Sequence, residues 1–255
     1  MKVSTQTIEE SNGAPEVGDR LTAPAVIDFI LQTVVEEGFV HIQKSVSLVD
    51  YERLVREVGV VVSRSDIRLD PDRVRLQQTT RKIKERPSAY RPEALSFHSD
   101  NPTVDLLSWY CVEQDKEDGA VLLLDTSDLI DNFSPSQLEE LSAIRIWFSD
   151  RIQDTEEEKL TEIPILSRTA SGYAVYYQPW LFSQDMAPET VSLLDEFAAY
   201  LRRKRDSELI RIQISPGECL FIDNHRMLHG RAALTENSKR HLVRCFIRTR
   251  CNWVS

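Results

Sequence analysis

The clearest fold signal in this chain is the stretch PGECLFIDNHRMLHGR, residues 216–231. Its Pro-Gly pair predicts a turn, and the apolar run Cys219–Ile222 that follows predicts a buried strand. A polar corner comes next and leads to His229. Arg240 lies eleven residues beyond His229, and the short loop at 232–239 predicts a hairpin that returns Arg240 to the neighbourhood of His229. The stretch therefore predicts a corner that gathers polar side chains beside a buried strand.

Short runs with strand character recur on both sides of this stretch. They are Phe39–Ile42, Val104–Val112, Ala120–Leu124, Ile144–Phe148, Ala174–Tyr177, Ile210–Ile214 and His241–Arg248. Apolar residues at helical spacing predict helices over Pro24–Glu37, Ser47–Val58 and Pro188–Arg203. Many short strands with helices in front and one helix inserted predict a mainly β fold, a sandwich or barrel with helical cover.

Composition excludes several classes of protein. The formal net charge is -10 and the pI is near 5.1, and so acidic a surface repels phosphate backbones, which argues against a nucleic-acid partner. No apolar run is long enough for a membrane span, and the N-terminus lacks the apolar stretch of a signal peptide. The four cysteines form no Cys-x-x-Cys pair, so reduced thiols in a cytoplasmic protein are expected.

The chain length fits a single domain. Residues 1–20 are polar and acidic and predict a flexible tail, which leaves residues 21–255 as one domain. Residues 64–94 are rich in charge. Within them, Val74–Thr80 is a candidate strand, and Glu85–Glu93, which contains Pro87 and Pro92, predicts a loop.

Metal-binding residue types occur close together at His98-Ser99-Asp100. Two residues apart on a strand, His98 and Asp100 would point to the same face. An imidazole and a carboxylate on one strand, joined by His229 from a distant strand, would hold a divalent metal from one side. That arrangement leaves three octahedral positions open, which suits an iron(II) ion that binds a bidentate co-substrate and then O2.

Two motifs resemble a known family. Phe97-His98-Ser99-Asp100-Asn101-Pro102, the stretch 223–231 and Arg240-His241-Leu242 are similar to motifs of the taurine dioxygenase and γ-butyrobetaine hydroxylase group of 2-oxoglutarate-dependent oxygenases. The resemblance implies a double-stranded β-helix (jelly roll) core. It implies Fe(II), 2-oxoglutarate and O2 as cofactors, with His98, Asp100 and His229 as iron ligands. It also implies that Arg240 pairs with the distal carboxylate of 2-oxoglutarate, and that Arg244 lies near the co-substrate or a substrate anion.

The chain departs from the family at one co-substrate contact. The family often carries Gly-Gly-x-Thr after the strand that follows the His-x-Asp motif, whereas this chain reads DGAV at 118–121. The missing threonine hydroxyl could be replaced by Thr126, Ser108 or Tyr110. Halogenating relatives replace the acidic ligand with Gly or Ala, so Asp100 argues against halogenation.

Further side chains are candidates for the substrate pocket. Trp109 and Tyr110 follow the metal motif, and either could line the pocket or pack in the core. The family often places the loop before the first metal histidine over its active site, so 64–94 is a candidate lid with Arg75 as a candidate contact to the substrate.

The function predicted from the sequence is oxidation of an aliphatic C–H bond of a small molecule by an Fe(II)- and 2-oxoglutarate-dependent dioxygenase. A free amino acid or a derivative is the expected substrate and hydroxylation the default outcome, with desaturation and cyclisation open. Relatives are often oligomers, so a homo-oligomer is an open expectation. Two alternatives remain: a non-enzymatic jelly-roll metal-binding protein, and a zinc hydrolase that uses His225 and His229.

Overall fold

The structure is a computed structural model that describes residues 21–70, 89–149, 160–170, 172–181 and 186–250. The predicted tail, Arg75 and much of the predicted lid lie outside these residues.

The described residues form short strands and a few helices. The strands, in chain order, are β1 (Phe39–Ile42), β2 (Gly59–Ile67), β3 (Leu95–His98), β4 (Leu106–Glu113), β5 (Val121–Asp125), β6 (Arg145–Ser149), β7 (Leu160–Pro164), β8 (Leu166–Thr169), β9 (Gly172–Val175), β10 (Ile210–Ile212), β11 (Cys219–Asp223), β12 (Met227–Arg231) and β13 (His241–Thr249). The helices are α1 (Pro24–Glu37), α2 (Leu48–Val58), α3 (Leu129–Asn132), α4 (Pro135–Ala143) and α5 (Pro188–Glu208). The fold is therefore mainly β-sheet with helices, as the sequence predicts.

Two antiparallel sheets carry most of these strands. The larger sheet has the order β1-β11-β4-β13-β2, and the smaller sheet has the order β10-β5-β12-β3. Two further strand pairs, β6-β7 and β8-β9, lie outside them. Consecutive strands β11 and β12 belong to different sheets, so the polar corner between them turns the chain from one sheet to the other.

Side-chain alternation along β4 shows how the layers pack. Leu107 and Trp109 belong to a buried cluster formed by both sheets, whereas Leu106 and Tyr110 pack with residues of α1 and α2. Since successive side chains of a strand point to opposite faces, α1 and α2 cover the outer face of the larger sheet. A third buried cluster joins α4 and α5 to Leu124 and Leu228, and thus to the smaller sheet.

Helix ends follow the local sequence. Ser47 caps α2 by accepting a hydrogen bond from the Asp50 amide at 3.1 Å, and Ser134 forms a capping box at the start of α4. Gly38 ends α1 with φ of 83°, and a Cβ at this position would lie 2.5 Å from the Met227 sulfur. The close approach ties the end of α1 to the first residue of β12.

One expectation about the chain path is wrong. The hairpin expected between residues 231 and 240 does not form, because β12 pairs with β3 and β5 while β13 pairs with β4 and β2. The start of the predicted lid, Arg64–Ile67, belongs to β2 and pairs with β13. The sequence marks these residues only as rich in charge, because the backbone pairing that makes them a strand is long-range.

Among the described residues, no helix combines the length and the apolar character that crossing a membrane requires.

Candidate metal centre

Strand pairing brings the two candidate histidine ligands together. His98 ends β3 and lies opposite His229 of β12 in the register of the smaller sheet. Leu228 packs outward against the helical layer, so alternation turns His229 inward, between the two sheets. The two imidazole rings lie with their centroids 4.3 Å apart, and both residues are buried.

Asp100 joins this pair from just beyond the strand. The sequence predicted that His98 and Asp100 share one strand, but β3 ends at His98. Hydrogen bonds to Ser99 fix the following residues instead: the Ser99 amide donates to the Tyr177 carbonyl, and the Tyr177 amide donates to the Ser99 hydroxyl. The Asp100 amide donates to Asn224 Oδ1 at 3.2 Å. The loop that carries Asp100 is thus held by Tyr177 on one side and by Asn224 on the other. Its carboxylate therefore faces the two histidines although the loop is not part of a strand.

The three side chains converge on a common point. One ligand atom each from His98, Asp100 and His229 lies within 4.8 Å of the others. Asp100 Oδ2 is 3.4 Å from His229 Nε2, and Oδ1 is 3.9 Å from His98 Nε2. His98 Nδ1 lies 2.7 Å from the Ser96 carbonyl oxygen. A carbonyl oxygen can only accept, so Nδ1 carries the proton and the Nε2 lone pair faces the other two residues.

The protonation states also suit a metal. Burial, followed by the nearby His229, lowers the pKa of His98 to about 4, so its ring is neutral at pH 7. Burial by itself would raise the pKa of Asp100, but Arg244, His229 and His98 outweigh burial and hold the pKa well below its usual range. Two imidazole nitrogens and one carboxylate form the donor set that non-haem iron(II) takes in facial-triad sites. The residues present therefore fit the iron that the family motifs imply.

Arg240 is buried, directly before β13. Its Nε donates to Gln114 Oε1 at 3.2 Å, and its side chain packs on Gly119, where a Cβ would approach the Arg240 side chain to 2.9 Å. In the described part of the chain, no carboxylate forms an ion pair with it. Burial, followed by the charge of Arg231, lowers the pKa of Arg240 to about 10, so the guanidinium is still charged at pH 7.

Arg244 reaches the metal group from the other sheet. Its Nη1 donates to Asp100 Oδ2 at 2.8 Å, and its guanidinium lies 4.5 Å from the centre of the Phe246 ring. Its Nε is buried and has no hydrogen-bond partner among the residues that the structure describes. The contact joins β13 of the larger sheet to the group held by the smaller sheet.

Trp109 and Tyr110 have different environments. The Trp109 ring meets the His229 ring edge-on with centroids 5.3 Å apart, so Trp109 lies beside the metal group. Tyr110 stacks on Tyr51 at 5.1 Å and donates its hydroxyl to the Val46 carbonyl beneath the helices. The prediction that Tyr110 lines the substrate pocket is therefore wrong, because strand alternation turns it to the outer face.

The candidate substitutes for the family threonine are engaged elsewhere. The Thr126 hydroxyl donates to the Arg226 carbonyl at 2.7 Å, beyond the end of β5 and three residues from Leu123, which pairs with His229. Ser108 accepts a hydrogen bond from the Tyr51 hydroxyl on the outer face of the larger sheet. The described bond of the Thr126 hydroxyl is thus to the backbone of the corner between β11 and β12. Arg75 falls outside the described residues.

His225 is separate from the metal group. Its Nε2 lies 3.4 Å from Asp105 Oδ1, and it is not part of the potential metal-binding cluster found among the described residues. A zinc pair made of His225 and His229 is therefore not what the structure assembles, since the corner between them is not helical.

The sequence left three neighbours of the metal group without an assigned role. The Trp180 ring lies 5.3 Å from the His98 ring, and its indole N–H is buried without an acceptor among the described residues. Burial, followed by the charge of Asp100, raises the pKa of Tyr176. Asn224 holds the Asp100 loop. Tyr176 and Trp180 belong to a run of aromatic residues in the sequence, with Tyr173 and Tyr177, but core packing predicts the same pattern.

Comparison with known proteins agrees with the geometry. The sequence model of the family described as "Taurine catabolism dioxygenase TauD, TfdA family" matches residues 7–246. A comparison with curated proteins returned no match.

Solved structures with the same fold include three oxygenases. An asparagine oxygenase in complex with Fe(II), 3-hydroxyasparagine and succinate is 16% identical over 89% of this chain and 80% of that chain, with a TM-score of 0.66. The oxygenase OrfP, with Fe and α-ketoglutaric acid, is 18% identical over 90% and 82%, with a TM-score of 0.62. PvcB from Pseudomonas aeruginosa is 16% identical over 87% and 79%, with a TM-score of 0.61.

Identities this low show a shared fold, whereas the family match spans nearly the whole chain and both metal motifs. The chain belongs to the TauD/TfdA family of Fe(II)- and 2-oxoglutarate-dependent dioxygenases.

Proposed function

We propose that this dioxygenase holds iron(II) through His98, Asp100 and His229 and oxidises an aliphatic C–H bond of a free amino acid or an amino-acid derivative. The observation that carries this proposal is the convergence of the three ligand atoms within 4.8 Å between the two sheets. The finer fold assignment, a double-stranded β-helix formed by residues 21–255 as one domain, belongs to the same proposal. Two facing antiparallel sheets with the site between them support it.

Arg240 is the proposed anchor of the co-substrate. Its guanidinium is buried without a carboxylate partner in the described residues, and a buried charge of this kind is costly until an anion reaches it. The distal carboxylate of 2-oxoglutarate supplies such an anion and can pair with the fork of donors. Gln114, which accepts from Arg240 Nε, would orient the side chain.

Arg244 is the proposed partner of a second anionic group, either the other carboxylate of 2-oxoglutarate or the carboxylate of the substrate. Its buried Nε without a described acceptor supports this role. Its contact with Asp100 also stabilises the ionised form of that ligand.

His98, Asp100 and His229 would hold the iron(II), which together with 2-oxoglutarate and O2 would supply an oxidant strong enough to remove hydrogen from an unactivated C–H bond. The task of the chain is placement and exclusion of water. Trp180 and Trp109 cover the rings of His98 and His229, which keeps the histidine faces dry. Hydroxylation is the expected outcome, because it needs no further group from the protein.

The substrate class draws support from similar structures. The asparagine oxygenase is described with 3-hydroxyasparagine, and OrfP is described with (3S)-hydroxy-L-Arg. Arg244 would take the carboxylate of such a substrate, and the indole N–H of Trp180 would donate to another of its oxygen atoms. The part of the predicted lid, 64–94, that follows β2 remains the proposed cover of this pocket.

Anaerobic addition of iron(II) and 2-oxoglutarate to the apo-protein tests the proposal. We expect the weak visible charge-transfer band of the iron–2-oxoglutarate chelate, and its loss on exposure to O2 with formation of succinate. A screen of free amino acids should then identify those that raise the yield of succinate. If folded, iron-loaded protein gives neither the band nor succinate, the assignment of the co-substrate is wrong.

A further inference from the structure

Arg231, at the end of the metal-bearing strand β12, makes an unusual set of contacts. It lies two residues after His229 and is only 4% exposed. Its guanidinium donates to the backbone carbonyl oxygens of Ala232, Ala89, Arg91 and Glu93. Three of these acceptors belong to the segment 89–93, directly before β3. One side chain thus holds the segment that leads into β3, the strand that ends at His98, against β12, the strand that carries His229.

The carbonyl contacts of Arg231 form a clamp at a point where the strand pairing is irregular. Arg231 pairs with Leu95 of β3, and the register between β12 and β3 shifts between His229 and Arg231. The Leu234 amide adds a hydrogen bond to the Pro92 carbonyl at 2.7 Å. An irregular ladder has fewer regular hydrogen bonds to set its register, so the guanidinium contacts hold β3 where the ladder is weakest.

The charge of Arg231 is not neutralised by an ion pair in the described part of the chain. Its described hydrogen-bond partners are all neutral carbonyls. Burial lowers its pKa to about 10, while the charges of Glu93 and Asp115 act in the opposite direction, so the guanidinium is still charged at pH 7. Arg240 is close enough for the Arg231 charge to lower its pKa. The two buried guanidinium groups therefore repel each other, and the charge of Asp115 offsets part of this repulsion on both. A bound dicarboxylate would offset it further.

The stretch at 118–121, where this chain departs from the family motif, lies beside Arg231. Val121, part of the DGAV stretch at 118–121, pairs directly with Arg231 across the ladder. Where the family often carries a threonine hydroxyl, this chain places an apolar side chain next to a second arginine.

We propose that Arg231 is a positioning residue for the 2-oxoglutarate pocket: it clamps segment 89–95 onto β12 and adds a second positive charge beside Arg240. The inference rests on the proposed function, because Arg240 is there the anchor of the co-substrate. Binding of the dicarboxylate relieves the repulsion between the two arginines, so the clamp and the co-substrate stabilise each other.

The test compares Arg231→Met and Arg231→Lys with a matched control, Arg226→Met. Arg226 also binds backbone carbonyls, those of Val35 and Glu36, and it pairs with Asp125, which is not one of the residues that converge as the metal group. Two quantities are measured on the whole chain without turnover: the affinity for 2-oxoglutarate from the anaerobic charge-transfer band, and hydrogen exchange of residues 89–98.

We expect Arg231→Met to weaken 2-oxoglutarate binding by about tenfold or more, as for other groups that orient a binding residue, and to speed exchange in 89–98. Arg231→Lys keeps the charge but cannot reach three carbonyls, so exchange should rise while most of the 2-oxoglutarate affinity remains. Arg226→Met should leave both quantities near those of the wild type.

The inference is overturned if Arg231→Met, or Arg231→Lys where the methionine variant does not fold, matches Arg226→Met in both measurements. Failure of the proposed function gives a different pattern. In that case the wild type does not bind 2-oxoglutarate, or Arg240→Met binds it as tightly as the wild type.

Discussion

The two histidines of the metal group differ in the use of their second ring nitrogen. His98 Nδ1 donates to the Ser96 carbonyl, whereas His229 Nδ1 is buried without a partner among the described residues. A metal-binding histidine normally has its other nitrogen oriented by an acceptor. His229 is oriented instead by packing, with the edge of Trp109 on one side and the ring of His98 on the other.

Replacement of His98 by alanine tests the metal assignment at the scale of one residue. We expect His98→Ala to lower iron-dependent succinate formation by more than about 100-fold, since removal of a ligand exceeds the usual loss from removing its outer partners. His41→Ala is the control, because His41 pairs with Glu218 at the edge of the larger sheet. Near-wild-type activity with His98→Ala would refute the assignment.

Trp109 and Tyr110 allow a test of orientation along one strand. Tyr110→Phe should cost about 1 kcal/mol of stability, because it removes a buried hydrogen bond to Val46, and should leave the KM for 2-oxoglutarate unchanged. Trp109→Phe should raise that KM, because it removes the support of His229. Urea unfolding and steady-state kinetics measure the two effects. A changed KM in Tyr110→Phe alone would show that the assignment of faces is reversed.

At the scale of elements, the corner between β11 and β12 organises the loop that carries Asp100. Asn224 in this corner is buried, and its side chain donates to the carbonyls of Asn101 and Val104 while it accepts from the Asp100 amide. One side chain thus satisfies three backbone groups of a loop that has no strand partner.

Asn224→Ala should therefore weaken metal binding in addition to lowering stability. We expect a loss of about 10–100-fold in affinity for Mn(II) or Fe(II), the range found when groups that orient ligands are removed. Asn101→Ala is the control, because the described residue that its side chain bonds is Thr103 in the same loop. Isothermal titration with Mn(II) measures the affinity, and equal losses in both variants would contradict the role of Asn224.

A salt bridge next to this corner predicts a pH effect on stability. Burial by itself would raise the pKa of Asp125, but the hydrogen bonds and charge of Arg226 outweigh burial and lower the pKa. Since the folded pKa lies below the unfolded one, the pair stabilises the fold above about pH 4, and this contribution is lost as the pH falls through the folded pKa.

Asp125→Asn should consequently be much less stable than the wild type at pH 7 and should approach it as the solution is acidified. Urea unfolding at several pH values gives the difference. A difference that stays constant across the pH range would show that Asp125 contributes through packing rather than through its charge.

At the scale of the whole molecule, the site lies between two sheets that hold different parts of it. The smaller sheet carries His98 and His229, whereas the larger sheet carries Trp109 and Arg244. Iron(II) and 2-oxoglutarate would bind between the two sheets and therefore only to the folded state. Their binding should stabilise the whole fold.

Thermal unfolding under anaerobic conditions should show this coupling. Iron(II) and 2-oxoglutarate, at about 100 times their dissociation constants, should each add about 2.7 kcal/mol, or about 5–10 °C in Tm for a chain of this size. 2-Oxoglutarate should have a smaller effect after iron is removed with EDTA. An equal shift with and without iron would mean that the dicarboxylate binds away from the metal.

The sequence by itself determined the mainly β class, the helices over Pro24–Glu37 and from Pro188 onward, and the three residues that converge between the sheets. Periodicity and residue type are local, so they can be recognised without knowing which strands pair. The similarity to family motifs also rests on short stretches, and it identified the dioxygenase family before any contact was known.

Tertiary structure alone decided which sheet each strand joins, and with it the environment of several side chains. Strands β12 and β13 pair with different partners, and so do not form the expected hairpin. Tyr110 packs against the helices that cover the larger sheet rather than facing the site. The clamp formed by Arg231 depends on carbonyls more than 130 residues away along the chain. Such contacts depend on long-range packing, because a backbone carbonyl carries no mark in the sequence of the side chain that will reach it.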